Sequence, residues 1–273
     1  MITQTPDKQP RTVVAMDAAV PGGPCGCHAP ASAHNAAILP YSGRGHREPV
    51  PSAAAITFVS VSVRYAPHLP DAASDITFTV HCGERVALTG PNGAGKSTVL
   101  AAAAGLMLPH HGQIRIFGNA VGACHHRTAW VPQRTEVDWR FPVTVREFVM
   151  TGRYVHLGWC VGPGADDREL VSYGLWRLGL TSIQQRRIGE LSGGQRQRAL
   201  LARALVQEAS IFLLDEPLNA LDTQTQGVVH RILAEETAKG GCVLAAHHDL
   251  GSLSSCFDRS IQLREGRMDH SPR

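Results

Sequence analysis

The stretch RVALTGPNGAGKSTVL, residues 85–100, joins a short apolar run to a glycine-rich turn and an Ala/Leu-rich segment. The pattern G-x-x-x-x-G-K-[S/T] runs from Gly90 to Ser97, between a predicted strand and a predicted helix, which is the context in which it binds phosphates. Glycines let the backbone curl so that its N–H groups face phosphate oxygens, and the following helix presents its positive end to them. The stretch therefore predicts an α/β core with a nucleotide phosphate site at the end of a buried strand.

Two side chains of this loop have distinct predicted roles. Lys96 is expected to place its charge between the β- and γ-phosphates, and Ser97 to offer its hydroxyl to Mg²⁺. The remainder of the predicted phosphate cradle consists of Gly90, Pro91, Asn92, Gly93, Ala94, Gly95 and Thr98.

Acidic residues follow a second buried run, IFLLDEP, residues 211–217. A carboxylate at the end of such a strand emerges at the edge of the sheet where α/β folds bind ligands. Asp215 is expected to orient Mg²⁺ through its waters, and Glu216 to take the proton from the attacking water as general base. The sequence thus predicts ATP hydrolysis with Mg²⁺.

Three further residues are candidates for the same site. The amide of Gln133, in WVPQR, is expected to reach Mg²⁺ and the attacking water, although a loop glutamine is often only surface. His248, after CVLAAH, is a candidate partner of the γ-phosphate, with a structural histidine as the alternative. Tyr65 closes the first predicted strand and is a candidate to stack on adenine.

A second glycine pair lies about a hundred residues later, in LSGGQ, residues 191–195. Ser192, Gly193 and Gly194 again combine small residues and exposed amides, with a helix predicted from Gln195. The first loop already accounts for one ATP, so one chain holds the front of one site and the back of another. A head-to-tail homodimer of two-fold symmetry, with two ATP molecules at its interface, satisfies both halves.

Composition and periodicity divide the chain into two parts at about residue 54. Residues 1–54 are rich in Pro, Gly, Ala and His, show no periodicity and are predicted to be a disordered extension. Two alternatives are open for it: a translation start at Met16 or later, and a metal site formed by Cys25, Cys27, His28 and His34.

From residue 55 the pattern is that of a folded domain. Alternating runs at 56–65 and 76–80 predict an antiparallel pair, continuous apolar runs at 210–215 and 242–247 predict buried parallel strands, and 260–268 predicts a last strand pair. A mostly helical block lies between them, giving a predicted domain at 55–268, a helical lobe at about 135–208 and a tail at 269–273.

Composition excludes several classes of protein. A formal charge of +3 is too small for a nucleic-acid-binding chain. Seven scattered cysteines without a CxxC pair indicate a reduced, cytosolic protein. No apolar run approaches the roughly 18 residues of a membrane helix, and Asp17 interrupts the only run suited to a secretory signal. Work at a membrane would therefore require a partner that spans it.

The order Tyr65, GPNGAGKST, Gln133, LSGGQ, LLDEP, Leu221-Asp222 and His248 resembles the ATP-binding cassette ATPases over residues 55–268. The resemblance implies a P-loop NTPase (RecA-like) core, an N-terminal antiparallel β subdomain and an inserted α-helical signature subdomain. It also implies a clamp that closes on two ATP molecules and transmits motion to membrane-spanning partners, as a peripheral protein on the cytoplasmic face. Leu221-Asp222 would belong to the loop linking the two sites, and Asn219 stands where serine is more usual.

Residues 131–159, VPQRTEVDWRFPVTVREFVMTGRYVHLGW, are similar to the ATPase subunits of manganese, zinc and iron importers, which use a separate permease and an extracellular metal-binding protein. The similarity ends at Cys160–Pro163. The residues before His248, Ala246-His247, are also unusual for the family that the sequence resembles. By this resemblance the permease docks at about 133–159, with anchors at Trp139, Phe141, Arg153 and Tyr154; the alternative is that these side chains pack the helical lobe. A different solute, or an exported one, is the alternative cargo.

Overall fold

A computed structural model describes residues 53–121, 125–133, 137–157, 161–247 and 256–269. Nearly all of the predicted extension at 1–54, with Cys25, Cys27, His28 and His34, lies outside the described residues. The extension and the domain boundaries therefore remain predictions.

The described chain contains ten strands and five α-helices, with three of the helices in one block between the sixth and seventh strands. The strands are β1 (Ala54–Val63), β2 (Ala73–His81), β3 (Arg85–Thr89), β4 (His111–Ile116), β5 (Asn119–Ala120), β6 (Thr128–Val131), β7 (Ile211–Asp215), β8 (Cys242–Ala246), β9 (Arg259–Arg264) and β10 (Arg267–Met268). The α-helices are α1 (Lys96–Ala103), α2 (Val145–Met150), α3 (Ala165–Arg177), α4 (Gly193–Val206) and α5 (Thr223–Ala238). None of the helices in the described ranges is long and apolar enough to cross a membrane.

The smaller sheet is antiparallel, in the order β2-β1-β4-β5. Phe58 pairs with Phe78 across β1 and β2, and their rings stack with centroids 4.6 Å apart. The predicted antiparallel pair is confirmed.

The larger sheet has the order β10-β9-β3-β8-β7-β6. Strands β9, β3, β8, β7 and β6 run parallel, and β10 turns back antiparallel to β9. Parallel strands end at one edge of a sheet, so the segments after β3, β6 and β7 meet there. This topology brings the predicted phosphate loop, Gln133 and Asp215 together.

Side chains of the larger sheet alternate between two cores. Leu88, Leu213 and Leu244 face α1 and the antiparallel sheet, whereas Phe212 and Leu214 face the helical elements. Since residues i and i+2 of a strand share a face, a strand buried on both sides reads as an unbroken apolar run. This accounts for IFLLD and CVLAA.

The helical lobe consists of α2, a 3₁₀ segment (Thr151–His156), α3 and the beginning of α4. Thr144 and Glu147 form a capping box that starts α2. Helix α1 ends at Ala103, because Gly105 adopts φ 78° and terminates the helix.

Candidate nucleotide site

Close backbone packing explains the glycines of the loop between β3 and α1. A Cβ on Gly90 would lie 2.1 Å from the Leu263 carbonyl oxygen, and one on Gly95 would lie 2.5 Å from that of Ala72. Both residues also have positive φ, 141° and 94°. Only glycine fits these two positions, so the sequence motif is a steric requirement of the curl.

Positive charge converges on this loop. Lys96 is only 6% exposed, and its ammonium donates to the carbonyl oxygens of Gly90 at 2.8 Å and Pro91 at 2.9 Å. Helix α1 starts in the loop with neither a side-chain cap nor an acidic residue in its first turn. The N–H groups at the start of α1 and the Lys96 ammonium therefore create a positive potential that is suited to binding phosphate.

Asp215 ends β7 and is 2% exposed. Burial raises the pKa of this carboxyl, as does the neighbouring charge of Glu216, while a hydrogen bond with the Ser97 side chain and the charge of Lys96 oppose the shift. Its Oδ2 is buried without a hydrogen-bond partner among the described residues.

The chemistry of this pair fits Mg²⁺. A hydroxyl and a carboxylate are hard oxygen donors, which Mg²⁺ prefers. A buried carboxylate oxygen without a partner is costly unless something polar meets it, and a hydrated cation would do so. Ser97 and Asp215 are therefore the residues suited to hold the ion.

Glu216 follows Asp215 directly and adopts φ 51°, which is unusual for a non-glycine residue. Its Oε2 accepts hydrogen bonds from Gln133 Nε2 at 3.3 Å and from Asn219 Nδ2 at 2.5 Å. Two amides from different loops thus converge on one carboxylate oxygen.

A cavity of about 460 Å³ opens beside these groups. Its lining comes from the core and from the helical side: Gln133, Val137, Trp139, Arg196, Gln197, Asp215, Glu216 and Asn219. The predicted Gln133, Asp215 and Glu216 are therefore brought to one space, next to the loop that carries Lys96.

Tyr65 lies beside the same loop. Its hydroxyl is 3.0 Å from Thr98 Oγ1, while the residue is 66% exposed. The contact places the phenol over the first turn of α1 and leaves ring surface open to solvent. Stacking on adenine stays a prediction.

In the signature turn (residues 191–195) Ser192 is the N-cap of α4, which begins at Gly193 and not, as predicted, at Gln195. Ser192 and Gln195 form a reciprocal capping box, so the helix includes Gly193 and Gly194, two residues more than predicted. A Cβ on Gly194 would lie 2.9 Å from the Ala220 carbonyl oxygen, so the turn packs against the segment after β7. No residue of 192–195 is among the described residues that line the cavity.

His248 lies outside the described residues, so its predicted contact stays a prediction. Its neighbour His247 is buried and packs on Phe257, with ring centroids 5.8 Å apart.

The structure also reveals contacts that the sequence did not predict. Gln197 is 2% exposed and donates to the Pro217 carbonyl oxygen at 3.0 Å. The sequence did contain a signal for this contact. Gln197 lies three and four positions before Leu200 and Leu201, so it is a polar residue on the apolar face of α4. Nothing in the sequence pointed to the Asn219–Glu216 contact.

Two of the four predicted docking anchors are wrong. Trp139 is 9% exposed, packs on Phe148 and lies under the Arg196 guanidinium. Arg153 is 7% exposed and pairs with Asp167 and Glu208 at 2.9 and 2.6 Å. Both side chains stabilise the lobe interior.

The other two anchors lie on the surface. Phe141 is 64% exposed and Tyr154 is 55% exposed. They remain available to a partner.

The sequence matches known proteins over most of its length. The family model described as "ABC transporter" matches residues 73–219. A manganese transport system ATP-binding protein of Halalkalibacterium halodurans is 37% identical, over 78% of this chain and 84% of its own. One from Synechocystis sp. is 44% identical (68% and 73% of the two chains), and a zinc transport system ATP-binding protein of Treponema pallidum is 40% identical (69% and 71%).

Solved structures agree in fold. A dimeric bacterial ABC transporter cassette superposes with a TM-score of 0.70 at 25% identity, over 79% of this chain and 97% of its own. A dimeric cassette in a post-hydrolysis state, bound to ADP and Pi, gives a TM-score of 0.71 at 23% identity, over 80% and 98%. The predicted α/β fold, with its antiparallel subdomain and helical insertion, is confirmed.

Proposed function

The chain belongs to the ABC transporter family, as an ATP-hydrolysing subunit that works with a membrane permease, and from that premise we propose that it drives uptake of a divalent metal ion. The cargo is supported by relatives named for manganese and zinc transport at 37–44% identity. The resemblance of residues 131–159 to subunits of such importers, noted from the sequence, points the same way.

The observation that carries hydrolysis at this site is the convergence of Lys96, Ser97, Asp215 and Glu216 at the carboxyl edge of one sheet. In the proposed mechanism the glycine loop and Lys96 hold the β- and γ-phosphates. Mg²⁺, when bound by Ser97 and Asp215, would neutralise charge on the phosphates. Glu216 takes the proton of the attacking water, and Gln133 orients that water.

The remaining residues of the proposed site complete the nucleotide pocket. Tyr65 stacks on adenine, and His248 contacts the γ-phosphate. Ser192, Gly193, Gly194 and Gln195 of one subunit cover the γ-phosphate bound by the other. Exposed Ser192, at a helix start without an acidic residue in its first turn, supports this role, since its neighbouring N–H groups can face an anion.

Further proposals concern the surroundings of the dimer. The permease docks on the helical lobe at the exposed Phe141 and Tyr154. An extracellular metal-binding protein delivers the ion to the permease, and the cassette lies on the cytoplasmic face.

The test is cellular metal content. Cells lacking this protein are complemented with the wild type or with Lys96→Ala, and manganese, zinc and iron are measured. Lys239→Ala is the matched control, because Lys239 is an exposed lysine on the surface after α5. We expect one metal to fall in the deletion and to be restored by the wild type and the control only. Unchanged levels of all three metals would contradict the proposed cargo and favour another solute or an exporter.

A further inference from the structure

We propose that Asn219 is a positioning residue for hydrolysis: its side-chain amide holds Glu216 so that one carboxylate oxygen faces the nucleotide. The inference rests on the proposed function, in which Glu216 is the general base. The contact from Asn219 Nδ2 to Glu216 Oε2 measures 2.5 Å. An amide donating to a charged carboxylate is among the stronger hydrogen bonds in proteins.

The turn that carries Asn219 is braced. The Asn219 backbone N–H donates to the Glu216 carbonyl at 3.2 Å, and that of Leu221 donates to Leu218 at 3.2 Å. The side-chain amide of Gln226, on α5, contacts the carbonyl oxygens of Leu218 and Leu221 at 3.4 and 3.2 Å. The Asn219 side chain therefore projects from a backbone that helix α5 helps to hold in place.

Both donors meet the same oxygen of the carboxylate. Gln133 Nε2 donates to Oε2 at 3.3 Å, alongside the Asn219 amide. Oε1 has no hydrogen-bond partner in the part of the chain that the structure describes. Two donors on one oxygen fix the rotation of the carboxylate, which leaves Oε1 to accept the proton of a water molecule.

The charges around Glu216 make this restraint useful. Asp215 precedes it and carries the same sign, whereas Arg196, which lines the same cavity, carries the opposite sign on α4. A carboxylate between such groups has competing orientations, toward the cation or away from its neighbour. A neutral donor at short range selects one orientation without adding charge to the site.

The device depends on this particular side chain. The hydroxyl of a serine is one bond from Cβ, whereas the amide nitrogen of asparagine is two bonds away. On the same backbone a serine would stop short of Oε2. The restraint therefore requires the asparagine at position 219.

The test compares variants of Asn219 in the full-length protein. Asn219→Leu keeps the branched shape but removes the donor, Asn219→Ser shortens the side chain, and Asn219→Asp replaces the donor with a like charge. We expect kcat for ATP hydrolysis to fall roughly tenfold in Asn219→Leu and Asn219→Ser, and by more than that in Asn219→Asp. Nucleotide Kd should stay within about twofold, because the amide contacts the proposed general base, Glu216, and acts on hydrolysis only through it.

A double-variant cycle separates this role from a structural one. Single-turnover hydrolysis is measured for Asn219→Leu in the wild type and in Glu216→Gln. If Asn219 acts through the carboxylate, its replacement costs little once Glu216 has been removed, so the two effects are not additive.

The remaining outcomes are distinguishable. An unchanged kcat in Asn219→Leu and Asn219→Ser would overturn the inference, while a loss in Glu216→Gln still supported the proposed function. Full turnover in Glu216→Gln would overturn the proposed function itself. A nucleotide Kd or ATP-dependent dimerisation weakened as much as kcat would assign Asn219 to the interface and also overturn the inference.

Discussion

The side-chain amide of Gln197 donates a hydrogen bond to the backbone carbonyl oxygen of Pro217 at 3.0 Å. Gln197 belongs to α4, which the signature turn starts, and Pro217 directly follows Glu216. Both residues are buried. The contact thus ties the signature helix to the turn that carries the proposed general base.

Replacing Gln197 with Met tests this tie. Met has a similar length but cannot donate, so the Pro217 carbonyl would be left buried without a partner. We expect the free energy of unfolding to fall by about 1–3 kcal/mol, with a loss of ATPase activity. Urea unfolding provides the measurement. Gln224→Met, an exposed position on α5, is the control, and equal stability of both variants would contradict the prediction.

Glu216→Gln and Lys96→Ala should separate chemistry from binding. The first removes the base, so hydrolysis should slow by about 10²–10⁴ while ATP still binds. The second removes the charge at the phosphate loop, so nucleotide affinity itself should fall. ATPase rates and nucleotide titrations check both, with the exposed Glu169→Gln on α3 as control. Normal ATP affinity in Lys96→Ala would reject the phosphate-loop role.

Much of the site could be predicted because it lies at strand ends. Each parallel strand is a continuous apolar run, and the polar residue that ends it must emerge at one edge of the sheet. This logic predicts Asp215 and Glu216, whereas the glycine-rich motif predicts Lys96 and the loop after an apolar run makes Gln133 a candidate. Their common cavity confirms that Gln133, Asp215 and Glu216 meet.

Contacts made at long range in the sequence could not be predicted. Trp139 and Arg153 resemble surface anchors in sequence, but tertiary packing buries both. Strand β6 and helix α5 were not predicted either. Only four residues form β6, and the helical stripe of α5, at Val229, Ile232 and Leu233, is short and follows an inconspicuous Asp222 N-cap.

Tyr65 variants distinguish stacking from hydrogen bonding. Tyr65→Phe keeps the ring and loses the bond to Thr98, whereas Tyr65→Ala loses both. If the ring stacks on adenine, Ala should weaken ATP binding by about 1–3 kcal/mol and Phe should do so much less. Inorganic triphosphate, which lacks the base, should bind both variants equally. Equal weakening of ATP binding by Phe and Ala would assign the role to the hydroxyl.

The ion pair between Arg153 and Asp167 should make stability depend on pH. The hydrogen bond from Arg153 lowers the pKa of Asp167. A carboxyl whose pKa is lowered by folding stabilises the fold above its unfolded value, about 3.9, and loses that contribution as pH falls through the folded value.

Asp167→Asn should therefore lower the free energy of unfolding at pH 7 by about 1–2 kcal/mol. The difference in free energy of unfolding between wild type and variant should become smaller as pH falls below about 4. Urea unfolding at several pH values gives the comparison, with the exposed Asp166→Asn on the same helix as control. A gap that stays constant with pH would exclude an ionic origin.

The exposed pair Phe141 and Tyr154 should anchor the permease, whereas the buried Trp139 should not. An aromatic side chain at the centre of an interface typically contributes 2 kcal/mol or more on truncation to Ala. Phe141→Ala and Tyr154→Ala should therefore each weaken retention on permease-containing membranes by roughly tenfold or more, with the ATPase activity of the isolated cassette unchanged. Trp139→Ala should instead destabilise the cassette itself, since its ring packs on Phe148.

Trp176 supplies the matched control for this prediction. It is 67% exposed on α3, outside the predicted docking segment at 133–159. Trp176→Ala removes an equally exposed aromatic side chain from the same lobe, so it should leave membrane retention at the wild-type level. Retention that falls equally in all three exposed variants would indicate nonspecific adhesion, and retention that falls only in Trp176→Ala would move the docking surface to α3.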